Sequence, residues 1–506
     1  MIQVKTLPQI SVEVNGQRLP DKDAMALHEI RVQQCLSTPA HCILSFHYSP
    51  ENEIAINVSL GLTVKVFDRN ENLVIFEGHV TAVEYGNLGN QKNEIVIRAY
   101  DDLHKLRKNS VLKSHVNMTV GDLIEELGSS LGVDFKISEA GPKSPHMIQW
   151  GQSHLDFIIE KSFEAGLYFV INDKNLHLFS LKGLEISEEI VLGDSLLESR
   201  VELNADQSCR QVEVKAWNPW KAESIEANAK SARSGRGISA EASPSNIGGS
   251  GKVQLTNATM QTPLQAEAYA QGYQDLKDMS EVRFSALLQG NAKLFPGVCV
   301  NTQGLPSAIE GKYLLSRVTH VINAEQGYVC EVDTLPPQAQ KTSNSNNSTT
   351  LGVVTRVDDP SKLGRLKAKL PAYGDVETEW MEVCMPAVGA NKGFVALPDV
   401  DDNVLVLMMN QNPSQAVVMG VLYGTKKPID DGVSGNSVKR YTLSTPGGQK
   451  LVLNDDKNIL RLENSSGSFV EMSPGKVTVS SKTQLLIEAP GNTITIKASK
   501  VDFKQG

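Results

Sequence analysis

The chain has 506 residues, which at roughly 150 per domain predicts about three to four domains. A hydrophobic fraction of 40% beside 21% charged residues excludes wholesale disorder. Lys plus Arg number 49 against 58 Asp plus Glu, and the net charge of −9 argues against generic nucleic-acid affinity. No apolar run approaches the roughly 18 residues of a spanning helix. The opening M-I-Q-V-K-T-L-P-Q-I has no charged-then-apolar secretory pattern, so export by the general pathway is not expected.

The first hundred residues read as strands. Ser11 to Val14 alternates before Asn15-Gly16, a strong hairpin signal. Alternating runs follow at Leu62 to Phe67, Val74 to Glu84 and Glu94 to Tyr100, with turn formers between them, predicting a small antiparallel barrel or sandwich. Thr119 then opens T-V-G-D, a capping-box variant, ahead of Val120, Leu123, Ile124, Leu127 and Leu131 at helical spacing. Ser153 opens S-H-L-D ahead of Leu155, Ile158, Ile159 and Phe163, with Gly166 as the stop. A hairpin of Tyr168 to Ile171 and Leu176 to Phe179 completes an α/β region from about 106 to 204.

Lys221 to Gly251 is polar and rich in Ala, Ser and Gly, and reads as a flexible loop. Its G-G-S-G-K at 248–252 has Asn246 and Val253 where a phosphate-binding loop needs Gly and Ser/Thr, so that match fails. Thr262-Pro263 starts a third helix running to about Met279, with Pro at its first position. The next segment repeats the first barrel. L-T-V-K-V, E-G-H-V-T-A-V and E-I-V-I-R-A find counterparts in P-G-V-C-V, E-G-K-Y-L-L-S-R-V and G-Y-V-C-E-V. Gly78 to Val96 and Gly311 to Val329 both span 18 residues, which predicts two copies of one strand-rich unit flanking the α/β region.

Lys341 to Thr350, K-T-S-N-S-N-N-S-T-T, reads as a linker without an apolar residue. Leu351 to Gly424 reads as a compact five-strand domain with strands at Gly352 to Val357, Gly364 to Leu370, Trp380 to Met385, Asn403 to Met409 and Ala416 to Val421. Apolar doublets then recur at Leu451/Leu453, Leu460/Leu462, Val470/Met472, Val477/Val479, Leu485/Ile487, Ile494/Ile496 and Val501/Phe503. Their starts step by 9, 10, 7, 8, 9 and 7 residues. A step near eight is too short for one chain to wrap a solenoid coil, which takes roughly 20 residues or more. Three chains giving one short strand per level would suffice. The expectation is a β-prism that exists only as a trimer, in preference to a β-meander, with Val477, Val479, Leu485, Ile487, Ile494, Ile496, Val501 and Phe503 in its core.

Residues 351–424 resemble the OB-like domain of contractile-injection spike proteins. The resemblance rests on G-V-V-T-R-V-D-D-P-S-K-L-G-R-L-K-A-K-L-P, E-T-E-W-M-E-V-C-M-P, G-F-V-A-L-P-D-V-D-D-N-V-L-V and Q-A-V-V-M-G-V-L-Y-G in order. H-L-D-F-I-I-E-K-S-F-E-A-G-L and E-G-K-Y-L-L-S-R-V extend it to the phage hub protein, so that the whole chain is similar to the fused hub-and-spike VgrG arrangement. The fold class implied is mainly β, and its domains run in a fixed order. A first hub barrel covers 1–105, an α/β domain 106–204 and a second hub barrel 205–340, with its polar insertion at 221–251. The linker at 341–350, the OB-like domain at 351–424 and a trimeric β-helical spike at 425–506 follow. The resemblance implies a homotrimer that matches a hexameric inner tube and baseplate proteins to a needle carrying a PAAR-type tip and piercing a target membrane. It further implies assembly in the bacterial cytoplasm and release as part of a phage-tail-like extracellular particle. It implies no catalysis, no cofactor, no metal and no nucleic acid.

Other readings of the same residues are weaker. Six scattered cysteines, at Cys35, Cys42, Cys209, Cys299, Cys330 and Cys384, read as reduced, mostly buried thiols. Carboxylates Glu377, Glu379, Asp399, Asp401 and Asp402 cluster in the OB-like segment, but at turns and strand ends where charge is ordinarily solvated. His41 and His47 alternate with apolar residues around a strand. Arg365, Lys367 and Lys369 share a strand face that has no stacking aromatic of its own. A binding module with a β-rich oligomerisation tail is the rival reading.

Overall fold

The structure is a computed structural model. It describes residues 9–48, 59–87, 93–218, 223–256, 260, 262–338, 348–409 and 414–505. The chain divides into two compact units, Met1–Val421 and Leu422–Gly506.

The first segment supplies β1 (Ile10–Val14), β2 (Gln17–Arg18), helix α1 (Asp21–Ala26), β3 (Leu27–Cys35), β4 (Thr38–Tyr48), β5 (Thr63–Asp68), β6 (Leu73–Asn87) and β7 (Asn93–Tyr100). Asn15 and Gly16 both take positive φ, 52° and 73°, which is the tight turn that lets Val14 pair with Gln17. Alternation then decides burial: Val64, Val66, Ile95, Ile97 and Ala99 enter one apolar core with Val32, Leu44 and Phe46.

A second region holds β8 (Ser110–Met118), helix α2 (Val120–Gly128), β9 (Asp134–Ile137), β10 (Ser144–Ser153), helix α3 (His154–Glu164), β11 (Leu167–Asn172) and β12 (Asn175–Ser180). Thr119 caps α2 in a reciprocal box with Asp122, and the Ser153 hydroxyl accepts from the Asp156 N–H at the start of α3. Gly166, at φ 69°, turns the chain out of α3. Asp173 and Lys174 take φ of 43° and 60° and close the hairpin of β11 on β12.

The third region comprises β13 (Ser187–Val191), β14 (Leu196–Leu203), β15 (Gln211–Asn218), β16 (Glu223–Ala229), β17 (Lys252–Thr256), helix α4 (Pro263–Glu281), β18 (Val282–Gln289), β19 (Cys299–Gln303), β20 (Lys312–Leu314), β21 (Arg317–Asn323) and β22 (Gly327–Asp333). The flexible-loop reading of 221–251 is corrected here. β16 lies antiparallel to β15 and, with β17, forms a three-stranded sheet packed against α4. Ile225, Ala227 and Ala229 alternate inward, but two of the three are alanines, too small to register as a hydrophobic pattern. G-G-S-G-K follows a single 3₁₀ turn at Pro244–Ile247 and runs into β17, not into a helix.

Two halves of the unit share one eleven-stranded sheet, in the order β14-β18-β22-β21-β3-β4-β7-β6-β5-β1-β2. The expected repeat is visible as strand order. β3-β4-β7-β6-β5 in the first half corresponds to β14-β18-β22-β21 followed by β20 and β19 in the second, where the long strand is broken at Leu315-Ser316. The glycine match within it is corrected. Lys65 pairs with Glu77, whereas its counterpart Cys299 pairs with Leu314. Gly78 therefore corresponds to Leu315, four residues beyond Gly311. Equal spacing concealed a tighter turn, because Asn323 already pairs with Gly327 while Asn87 waits for Asn93.

The OB-like region forms a six-stranded sheet. Its strands are β23 (Ser348–Arg356), β24 (Lys367–Leu370), β25 (Val376–Glu377), β26 (Glu382–Val383), β27 (Asn403–Met408) and β28 (Ala416–Leu422), in the order β25-β24-β23-β27-β28-β26. Val354, Leu366, Ala368, Val404, Val406 and Val418 close its core. β23 starts at Ser348, inside the expected linker, whose residues 341–347 lie outside the described residues. Among the described residues no helix is long and apolar enough to cross a membrane.

The second unit holds the hairpin β29 (Val433–Ser434) and β30 (Ser437–Val438). It continues with β31 (Arg440–Ser444), β32 (Lys450–Asn454), β33 (Ile459–Glu463), β34 (Phe469–Ser473) and β35 (Lys476–Ser480). Within one chain β31 to β35 form an antiparallel meander, each strand pairing with its neighbour in sequence. Leu485/Ile487, Ile494/Ile496 and Val501/Phe503, expected as strands, fall outside any strand.

Candidate interaction surface

The meander is amphipathic in a way one chain does not resolve. Its ladder stacks two apolar rows across all five strands. Tyr441 pairs with Leu453, Leu453 with Leu460, Leu460 with Met472 and Met472 with Val477. In the second row Leu443, Leu451, Leu462, Val470 and Val479 follow one another likewise. The opposite face is mixed, with Val452, Ile459 and Phe469 among charged and hydroxyl side chains. Arg461 reaches Glu471 at 2.8 Å and Glu463 at 3.1 Å, and lies over the Phe469 ring. At the entrance to the meander Arg440 grips the Asp430 carboxylate at 2.8 and 3.0 Å, and this holds that carboxyl below its usual range.

The apolar rows have no cover of their own. Leu462 is 59% exposed and Val477 67%. The expected core residues are as open: Val479, Leu485, Ile487, Ile494, Ile496, Val501 and Phe503 are all exposed. Among the described residues, none belongs to any of the five apolar cores. An isolated soluble chain rarely shows so long an apolar strip unless it is an interaction surface. Sequence periodicity found the strip; it missed Tyr441 and Leu443, one strand earlier.

The polar candidates disperse. Glu377 accepts from the Thr355 hydroxyl at 2.8 Å, Glu379 faces Lys367 at 3.5 Å, and Asp402 accepts from the Asp399 N–H at 2.9 Å. Asp401 sits at a turn with φ of 68°. Each is engaged locally, as solvated turn residues are. Arg365 is clamped on Asp359 at 2.8 and 3.0 Å. Lys367 lies beside both Glu379 and the Trp380 ring, so the basic strand face is largely neutralised within the domain. Trp380 is the aromatic that the strand itself lacks, and sequence reasoning missed it because it comes from the next loop; Arg356 covers it too.

His41 stacks on Tyr100 at 4.5 Å, and burial lowers its pKa, with the cations Arg98 and Arg107 adding to the shift. His47 stacks on His28 at 4.3 Å and faces Glu94 at 3.4 Å. Among the described residues no group of His, Cys, Asp and Glu is arranged to hold a metal, and the six cysteines are all free thiols.

A family profile described as the Alg8 N-terminal domain matches residues 6–324, and one described as the type VI secretion system/phage-baseplate injector OB domain matches 350–423. No curated protein matches the chain. Among solved structures, an Escherichia coli protein shares 13% identity over 81% of this chain and 99% of its own, with a TM-score of 0.54. It is described as a component of the type VI secretion system with structural similarity to T4 bacteriophage tail proteins. A 43 kDa tail protein of a Shewanella oneidensis prophage shares 13% identity over 65% of this chain and 98% of its own, TM-score 0.51. A chain of the Francisella PdpA–VgrG complex shares 10% over 95% of this chain and 89% of its own, TM-score 0.53. The chain belongs to the Alg8 N-terminal domain family over residues 6–324, and the segment that follows, 350–423, matches the injector OB domain profile.

Proposed function

We propose that this protein is the central hub and spike of a contractile injection apparatus, acting mechanically and without catalysis. The observation that carries the reading is the two-row apolar ladder from Tyr441 to Val479, continued by exposed Leu485, Ile487, Ile494 and Ile496. Burying a Leu or Ile side chain contributes about 1.5–3 kcal/mol, so a strip of this length is a large driving force for association. Three copies winding their strips together would give a needle whose backbone bonds are internal and whose side chains interlock. The duplicated hub then presents two similar units per chain, which suits a hexameric inner tube. In this reading the needle end receives a PAAR-type tip, baseplate proteins surround the hub, and sheath contraction drives the needle through a target membrane.

We further propose assembly in the bacterial cytoplasm and release in a phage-tail-like particle. The free thiols, four of the six fully buried, accord with synthesis in a reducing compartment. The test of the trimer is native mass by light scattering on the full chain beside a chain ending at Gly424. A full-length mass near three times 55.1 kDa, falling to smaller species on truncation, is expected. A full chain that stays monomeric at high concentration overturns the reading.

A further inference from the structure

The segment A-R-S-G-R-G at 232–237, part of the stretch expected as a flexible loop, is laced to the chain just after β12 on one side and to β20 on the other. Its glycines allow that approach. The Gly235 N–H donates to the Leu181 carbonyl at 2.7 Å, and a Cβ at Gly235 would stand 2.8 Å from the Lys182 carbonyl oxygen. Gly237 pairs with Lys312, its N–H donating at 2.8 Å and its carbonyl accepting at 3.0 Å. Arg233 and Arg236 are thereby set beside Lys182 and Lys312. The four cations line a cleft of about 440 Å³, with Glu139 as its one acidic wall residue.

The two arginines are paired from α4. The Arg233 N–H donates to Asp275 at 2.7 Å, and its guanidinium faces the same carboxylate at 3.7 Å. Arg236, 10% exposed, is bonded to Asp278 at 2.5 Å, and Asp278 also accepts from the Ser234 hydroxyl. The other amino group of Arg236, Nη1, has no hydrogen-bond partner; Glu281 stands 3.8 Å from it and is held by Arg210 at 2.8 Å. Glu139 accepts from the Ser180 hydroxyl at 2.6 Å. Among the described residues, neither Lys182 nor Lys312 has a carboxylate within ion-pair distance, and Lys312 lies beside the Cys299 thiol, whose pKa burial raises. Four cations against Glu139, Asp275 and Asp278 leave one positive charge in excess, on a chain whose net charge is −9. A concave wall of one sign concentrates its field in the cleft.

We propose that this cleft binds one carboxylate group of a partner polypeptide, an acidic side chain or a free C-terminus, between the Lys182 and Lys312 ammonium groups. A single negative charge balances the excess. A phosphate dianion fits less well, because the arginine forks that would grip it are already engaged by Asp275 and Asp278. The backbone ties at Gly235 and Gly237 hold the two lysine-bearing segments in place before binding, so the backbone has little order left to gain. The site belongs to the first unit and does not depend on the trimeric reading.

The experiment is lysine acetylation of the full chain, followed residue by residue by mass spectrometry, with the exposed Lys174 as internal reference. Three blocked tripeptides are the probes. Acetyl-Gly-Glu-Gly-amide carries one side-chain carboxylate, acetyl-Gly-Gln-Gly one terminal carboxylate, and acetyl-Gly-Gln-Gly-amide neither. At about 10 mM, well above a millimolar dissociation constant, a carboxylate probe is expected to slow acetylation of Lys182 and Lys312 several-fold and to leave Lys174 unchanged. Protection by the first probe alone assigns a side chain as the source, by the second alone a chain end, and by both the carboxylate as such; each supports the site. Lys312→Gln, at an exposed position, should reduce the protection of Lys182 with circular dichroism unchanged. No protection by either carboxylate probe, or equal protection by the neutral one, overturns the proposal. So does inorganic phosphate protecting both lysines at a tenth of the probe concentration, which would make this a phosphate site. Undiminished protection of Lys182 in Lys312→Gln overturns the placement of the carboxylate between the two lysines.

Discussion

The hub sheet and the spike meander are both antiparallel ladders, yet they dispose of their apolar side chains in opposite ways. In the hub, alternation sends Val64, Val66, Ile97 and Phe46 into a core closed by the same chain, each under 4% exposed. In the spike, the same alternation produces Leu453, Leu460, Leu462 and Val479 on one face, each at least 40% exposed. Period-two patterning therefore dictates which face is apolar and is silent on what covers it. The first unit closes its own apolar cores; the meander leaves one apolar face exposed.

The largest effect should come from charging that uncovered face. Leu462→Asp puts one carboxylate per chain into the proposed trimer interior, where an unpaired buried charge costs several kcal/mol per copy. Loss of the trimer by light scattering is expected, with hub secondary structure kept by circular dichroism. Ile494→Asp should do the same one stretch further on. If Leu462→Asp breaks the trimer and Ile494→Asp leaves it intact, the needle ends before residue 494.

The second way to sharpen the contrast is acid. His320 is buried on β21, bonded to the Leu294 carbonyl at 3.0 Å and close to the Tyr328 hydroxyl and Cys330, and desolvation lowers its pKa from 6.5 to about 4. The unfolded chain binds the proton more readily, so this group's contribution is present above pH 6.5 and is lost as pH falls toward 4. The loss is about 3 kcal/mol, and it belongs to the hub. Urea unfolding of the hub across that window should show it, and His320→Leu should flatten that part of the profile. The corresponding inner-face position in the first half is Val83, which cannot titrate.

A third test asks how tightly the hub's layers are fitted. A Cβ on Gly272 in α4 would stand 2.4 Å from Gly166 Cα, the glycine that ends α3. Gly272→Ala should push the two helices apart at a cost of about 1–3 kcal/mol, read as a lower melting temperature of the hub transition. The counterweight is that alanine favours the helix by up to about 1 kcal/mol, so a net gain in stability would show that the helices are not in contact.

What the sequence made legible follows the same division. Capping residues at Thr119, Ser153 and Thr262 and the turn at Asn15-Gly16 act within a few residues of themselves, and each sits where local chemistry puts it. The repeat was legible as a pattern of strands but misaligned at Gly311, because equal spacing does not distinguish a strand residue from a turn residue. Gly311 is needed for a different reason, since a Cβ there would stand 2.2 Å from the Gly237 carbonyl oxygen. β16 was hidden because its inward residues include Ala227 and Ala229, whose burial against α4 is a tertiary fact. The junction of β21 with β3 joins residues some 300 positions apart, and nothing local announces it. In the second unit the doublets were plain, while what covers their exposed face is not written in the pattern itself.

The smallest effects contrast two neighbouring ion pairs in the OB-like domain. Asp359 accepts from the Ser361 and Leu363 N–H groups and from both ends of the Arg365 fork, and the first cause of its depressed pKa is that Arg365 bond. Asp359→Asn keeps the shape and removes the charge, leaving Arg365, itself 13% exposed, without its partner. A loss of about 1–3 kcal/mol is expected for hydrogen bonds to a charged group of this kind. Because the folded carboxyl titrates below its unfolded value, that contribution is present above about pH 4 and declines as acid is added, and the Asn variant should lack the decline. Asp358, one residue earlier, also holds an arginine, Arg356, at 2.9 Å, but its side chain is 70% exposed. Asp358→Asn should therefore leave the thermal melt essentially unchanged. Equal losses at the two positions in thermal melts would mean that the loop from Asp359 to Arg365 is not closed by its ion pair, and that the OB-like sheet holds without it.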